Sequence, residues 1–151
     1  MKPRLVAEHD YFTLQLADDV LVVAVRNTAK VPSINYHALS AMFDAMRTAL
    51  SEAKLVDRGW SVVYDFSAVT GYEFTAAMAF PNFFRWARDH GRRKAAHIFP
   101  GGHAATDAPL VKRLILGQVA PGGDDADHYT ARDCDDALQW IARVTRATDK
   151  P

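Results

Sequence analysis

The chain is predicted to be a single α/β domain built on a mixed, mostly parallel sheet. Three observations carry that expectation. Short apolar runs alternate with segments of helical period after residue 30, a pair of runs that reads as a hairpin stands before them, and 151 residues suit one well-buried domain better than two. The expected order is β-β-α-β-α-β-α-β-α. Residues 11–146 form the domain, 1–10 are a leader or an edge strand, and 147–151 are a frayed tail.

The opening pair spans residues 11–16 and 20–25, joined across Ala17, Asp18 and Asp19, and reads as a β-hairpin. Phe12, Leu14 and Leu16 share one side of its first strand. The second strand is almost wholly apolar, as a strand covered on both faces should be. Leu39, Met42, Phe43, Met46 and Leu50 then fall at steps of three and four along one helical face, with Ser33 or Asn35 as the cap and an end near Leu55. Asp57, Arg58 and Gly59 return the chain to a strand over residues 60–65.

A second helix is expected from near Thr75 to His90, with Gly91 as its stop and Pro81 marking either a kink or a restart. Phe80, Phe83, Phe84 and Trp86 crowd it, mostly as core. Residues 95–99 form another strand, and residues 108–118 a helix capped by Thr106 or Asp107. His128, Tyr129 and Thr130 make a last short strand, and Asp133 caps a closing helix that turns Ala137, Leu138, Ile141 and Val144 inward.

Composition narrows the function classes. Eighteen basic and eighteen acidic residues balance, so no net field draws the chain to nucleic acid or an anionic membrane. No apolar run approaches a membrane span and the start lacks signal-peptide order, which predicts a cytoplasmic protein. Cys134 is the only cysteine and is expected to be structural or incidental. Gly101-Gly102 and Gly122-Gly123 lack the spacing and the Lys-Ser/Thr ending of a phosphate loop. Ser67 and Thr75 lack a nucleophile-elbow frame, so no hydrolase triad can be assembled. His97, His103 and Asp107 are the one constellation that could serve acid–base chemistry or a metal, and their spacing matches no ligand motif. Neither enzyme activity nor a metal or other cofactor is expected. His128 is read as a strand-surface residue.

The centre of the chain is the stretch 62–79, in which an apolar strand ends at Asp65, a small-residue turn follows, and Thr75 stands as a cap hydroxyl at a helix start. Asp65-Phe66-Ser67-Ala68-Val69-Thr70, then Gly71-Tyr72, then Glu73-Phe74-Thr75-Ala76 resembles, without a gap, the signature of the STAS domains. These are the anti-sigma factor antagonists and sulfate-transporter tails, with sporulation-antagonist-like proteins sharing their fold. The family pattern is Asp-Leu-Ser-Gly-Val-Thr, two residues, then Asp-Ser-Ser-Gly. Here Glu73 replaces the second aspartate, Phe74 the first serine of the last group and Ala76 its glycine.

The resemblance implies a STAS-like fold and a non-enzymatic regulatory module of bacterial signal transduction. It implies phosphorylation at Thr75, and a partner surface formed by Asp65, Ser67, Gly71, Tyr72, Glu73 and Phe74. The expected partner is a protein of the kinase or sigma-regulator type, with a homodimer left open. The alternative expectation is a small-ligand module, lipid-like or nucleotide, whose aromatic pocket beside the same loop is walled by Phe80, Phe83 and Phe84 together with Tyr72 and Phe74.

Overall fold

The computed structural model describes residues 3–99 and 127–149. They form a six-stranded mixed sheet in the order β1 to β6, with three α-helices. Strand β1 (Arg4–Glu8) is an edge strand, antiparallel to β2 (Phe12–Ala17) with a bulge between Leu5 and Ala7. A two-residue turn, Asp18 at φ 53, joins β2 to β3 (Val20–Arg26) and pairs Ala17 with Val20. Asp suits that position because its short side chain tolerates the left-handed region. From β3 onward the pairing is parallel, through β4 (Trp60–Ala68) and β5 (Arg92–Ile98) to β6 (His128–Thr130).

Helix α1 (Tyr36–Glu52) links β3 to β4. Asn35 caps it, its Oδ1 accepting from the Ala38 amide at 2.8 Å. It ends at Glu52, three residues before the end expected near Leu55. Lys54 takes φ 60, which lets the Leu55 amide reach back to the Leu50 carbonyl at 3.0 Å and close the helix.

Between β4 and β5 the chain makes a 3-10 turn (Phe74–Ala79) and then α2 (Phe80–Asp89), with Pro81 in the first turn of α2. Proline there loses no helical hydrogen bond, so the segment restarts rather than kinks. Gly91 at φ 99 sends the chain into β5.

After β6, α3 (Cys134–Asp149) is opened by Asp133, whose carboxylate accepts from the Asp136 amide at 2.8 Å. The helix expected at 108–118 lies outside the described residues, as do both Gly-Gly pairs. Four helices were expected and three stand among the described residues.

Strand alternation sorts the core into two layers. Leu14, Leu21, Val23, Trp60, Val62, Tyr64 and Ala95 face α1 and α2, where Met42, Phe43, Met46, Phe80, Phe83 and Phe84 meet them. Val20, Val22, Val63, Ala96 and Ile98 face α3 through Ala137 and Ile141. Strand β3 is therefore covered on both faces, which explains its unbroken apolar run. Both crossovers through α1 and α2 lie on one face, as right-handed connections between strands added in one direction require. No helix among the described residues is long and apolar enough to cross a membrane.

Candidate functional site

The carboxyl ends of β3 and β4 meet at one rim of the sheet, and the loop between β4 and the 3-10 turn rises from it. Asn27, directly after β3, holds that loop. Its Oδ1 accepts from the Thr70 amide at 2.7 Å, the Gly71 amide at 3.1 Å and the Thr70 hydroxyl at 3.3 Å. Its Nδ2 donates to the Gly71 carbonyl at 2.8 Å and the Pro32 carbonyl at 2.9 Å. One amide side chain thus satisfies backbone groups of two loops that strand pairing leaves unpaired.

Backbone bonds complete the attachment. The Ile34 amide donates to the Gly71 carbonyl at 3.0 Å and the Glu73 amide to the Ile34 carbonyl at 2.8 Å, a parallel bridge between Ile34 and Tyr72. Gly71 is required by close approach, because a Cβ there would stand 2.9 Å from the Pro32 carbonyl oxygen. Asn27→Ala is expected to destabilise the fold by about 1–3 kcal/mol through those unpaired groups. Hydrogen exchange should show faster exchange at the Thr70 and Gly71 amides than across α3.

What this anchored loop displays is apolar. Phe74 is 67% exposed, Met78 62% and Tyr72 39%, with Tyr36, at the start of α1, 40%. Phe74 and Met78 are four residues apart on the 3-10 turn and its junction with α2, so chain connectivity keeps them near one another. Beneath them Ala76 and Ala79 are buried, which fixes the turn against the core.

Thr75 is exposed, and its hydroxyl has no hydrogen-bond partner among the described residues. It is not the cap. The turn begins at Phe74 with Glu73 in the cap position, in extended conformation and without a side-chain cap bond. The reason is the bridge to Ile34, which makes the chain turn two residues before the hydroxyl.

Asp65 and Ser67 lie apart from that display. The Asp65 carboxylate accepts from the Ser67 amide at 3.0 Å and the Ser67 hydroxyl at 2.6 Å, closing a local turn. Asp65 acts electrostatically on Cys134 at the start of α3, whose thiol is pushed up chiefly by burial and further by Asp65, Asp135 and Asp133. That thiol is therefore not an activated nucleophile.

Phe80, Phe83 and Phe84 are core residues, each at most 4% exposed. Phe83 stacks on Phe43 with ring centres 4.4 Å apart, and Phe80 and Phe84 meet Tyr64 edge-on. His97 is fully buried on β5. His103 and Asp107, its two expected companions, lie outside the described residues. Its ring nitrogen Nε2 instead lies 3.0 Å from Nδ1 of His128, which is half-buried rather than on the strand surface.

Burial, then the His128 and Arg92 charges, holds His97 well below the usual histidine range; burial, then Arg92, lowers His128 to about 4. Both rings are neutral at physiological pH, so the pair is not poised for acid–base work there. Among the described residues no group of three histidine, cysteine or acidic side chains could hold a metal ion.

Asn27 and the His128 contact escape sequence reasoning because both join segments far apart in the chain. An asparagine after a strand is ordinary turn chemistry until its partners 43 and 44 residues away are known. No protein-family model matches the chain, and no curated protein matches it.

Proposed function

We propose that this chain is a non-enzymatic regulatory module of STAS-like type. It docks a protein partner through the loop of Tyr72, Glu73, Phe74 and Thr75 and the adjoining Met78. The observation that carries this reading is the contrast between a firmly attached loop and its apolar display. Phe74 and Met78 are among the most exposed large apolar side chains of the described residues, and they stand on a segment held from below by Asn27, Ile34 and the buried Ala76. Exposed apolar side chains so fixed are suited to an interface, where aromatic side chains dominate binding energy.

Thr75 supplies the control. Its free, exposed hydroxyl is accessible to a kinase and has no structural task to lose. Phosphorylation would add about −2 charge beside Phe74 and Glu73. Burying that charge with the aromatic surface opposes docking, so the phosphorylated form is the released form.

The test is affinity capture from the cells in which the protein is made, comparing wild type with Phe74→Ala and Thr75→Asp. We expect one protein, retained at near-stoichiometric level by wild type, to fall at least tenfold with either variant, while Thr75→Ala keeps it. Phosphate should map to Thr75 in the endogenous protein. Equal retention by all four forms would reject docking at this loop, and a Thr75→Asp variant that binds like wild type would reject the switch.

A further inference from the structure

On the α1 and α2 face of the sheet, three side chains from adjacent strands form a row. The Tyr64 ring lies 5.1 Å from the His97 ring at an interplanar angle of 20°, and the His97 ring 5.2 Å from that of His128 at 24°. Phe84 closes over His97 and His128 with ring centres 6.0 and 5.9 Å away. Tyr64 and His97 are fully buried. Arg92, at the start of β5, is close enough for its charge to act on all three.

Four buried polar atoms of this row have no hydrogen-bond partner among the described residues: Tyr64 Oη, Arg92 Nε, His97 Nδ1 and His128 Nε2. Natural interiors rarely leave such atoms unpaired, and four on side chains linked by ring contacts and by the Arg92 charge point to something that satisfies them. Their chemistry says what it is. Arg92 Nε–H can only donate. The Tyr64 hydroxyl keeps its proton because burial pushes its pKa far up, so it also donates.

The two neutral rings share one proton across their 3.0 Å contact, which leaves one N–H at one outer end of the pair and one bare nitrogen at the other. Three of the four orphan atoms are therefore donors, whichever tautomer is present. The guanidinium has no ion pair among the described residues. Asp127, the acid whose charge acts on it, already accepts from Lys94 Nζ at 2.7 Å.

We infer that Arg92, Tyr64 and the His97–His128 pair form a binding site for a small oxyanion, a carboxylate or a phosphate, separate from the Thr75 surface. The oxyanion accepts from Arg92 Nε, from Tyr64 Oη and from the outer N–H of the histidine pair. Arg92 and His128, both half-buried, form the side through which it enters. A carboxylate ligand with a flat apolar body would also meet the rings of Tyr64 and Phe84.

Isothermal titration of the full chain at pH 7 and constant ionic strength, with sodium phosphate in one arm and sodium benzoate in the other, tests this. Saturable binding is expected in at least one arm, and which arm responds tells phosphate from carboxylate. Saturation should shift the ring nitrogen resonances of both His97 and His128. Tyr64→Phe keeps the ring and its packing and should weaken binding about tenfold or more, as should Arg92→Met. If Arg92→Met does not fold, Tyr64→Phe decides alone. Absence of saturable binding in both arms, unmoved histidine signals at saturation, or Tyr64→Phe binding like wild type would overturn the site.

Discussion

Phe83→Ala is expected to remove about 3–5 kcal/mol of stability, the usual range for truncating a buried phenylalanine. Phe83 is fully buried, stacks on Phe43 of α1 at 4.4 Å and on Trp86 at 5.6 Å, and receives the Arg47 guanidinium 5.3 Å from its ring centre. Truncation would leave a void between α1 and α2 lined by rigid rings that cannot close over it. Urea unfolding followed by tryptophan fluorescence will show it, because Trp60 and Trp86 lie in the same layer. Phe74→Ala is the control. At 67% exposure it should change stability by no more than about 0.5 kcal/mol. Similar losses in the two variants would contradict the separation of core aromatics from displayed ones.

The second large effect is acid sensitivity. His97 and His128 are held neutral in the fold and return to a pKa of about 6.5 when the chain unfolds. As pH falls below about 6.5, the unfolded state takes up protons that the folded state refuses, so stability declines. His128 contributes to the decline until about pH 4, where its folded form begins to titrate; His97 continues to contribute below that. For His97, fully buried, the slope is about 1.4 kcal/mol for each pH unit once the unfolded histidine is fully protonated. Unfolding free energies measured from pH 7 down to pH 4 should fall steadily in wild type, and less steeply in His97→Phe. An identical slope in that variant would remove His97 as the source.

Much of the fold was legible in local pattern. Period two along 11–16, the steps of three and four from Leu39 to Leu50, and Asn35 and Asp133 at their caps all reappear in the structure. These signals survive because each depends on neighbours within one or two turns of chain. Pro81 left two readings open, and the restart was settled by tertiary attachment of the preceding loop. Residues 1–10 were ambiguous for a related reason. Arg4, Leu5, Val6, Ala7 and Glu8 become a strand only because β2 offers an edge to pair with.

The site was less legible. Exposure of Phe74 beside burial of Phe80, Phe83 and Phe84 cannot be read from four identical side chains. It follows from where the bridge between Ile34 and Tyr72 starts the turn. Spacing alone makes Thr75 a cap, whereas it stands two residues past the cap position, for the same cause. The Tyr64, His97 and His128 row needs the parallel register that sets Tyr64 opposite His97 and Ala95 opposite His128. No periodicity within one segment encodes that.

The bulge in β1 bears on behaviour at high concentration. A long, flat outer strand with free amide and carbonyl groups is a template for adding strands from other molecules. Here the outer strand is five residues long, interrupted between Leu5 and Ala7, and flanked by Arg4 and Glu8, so a second chain cannot pair along it in continuous register. At the other margin of the sheet among the described residues, β6 has only three residues. The β1 margin is thus blunted against edge-to-edge aggregation, although Leu5 is 52% exposed.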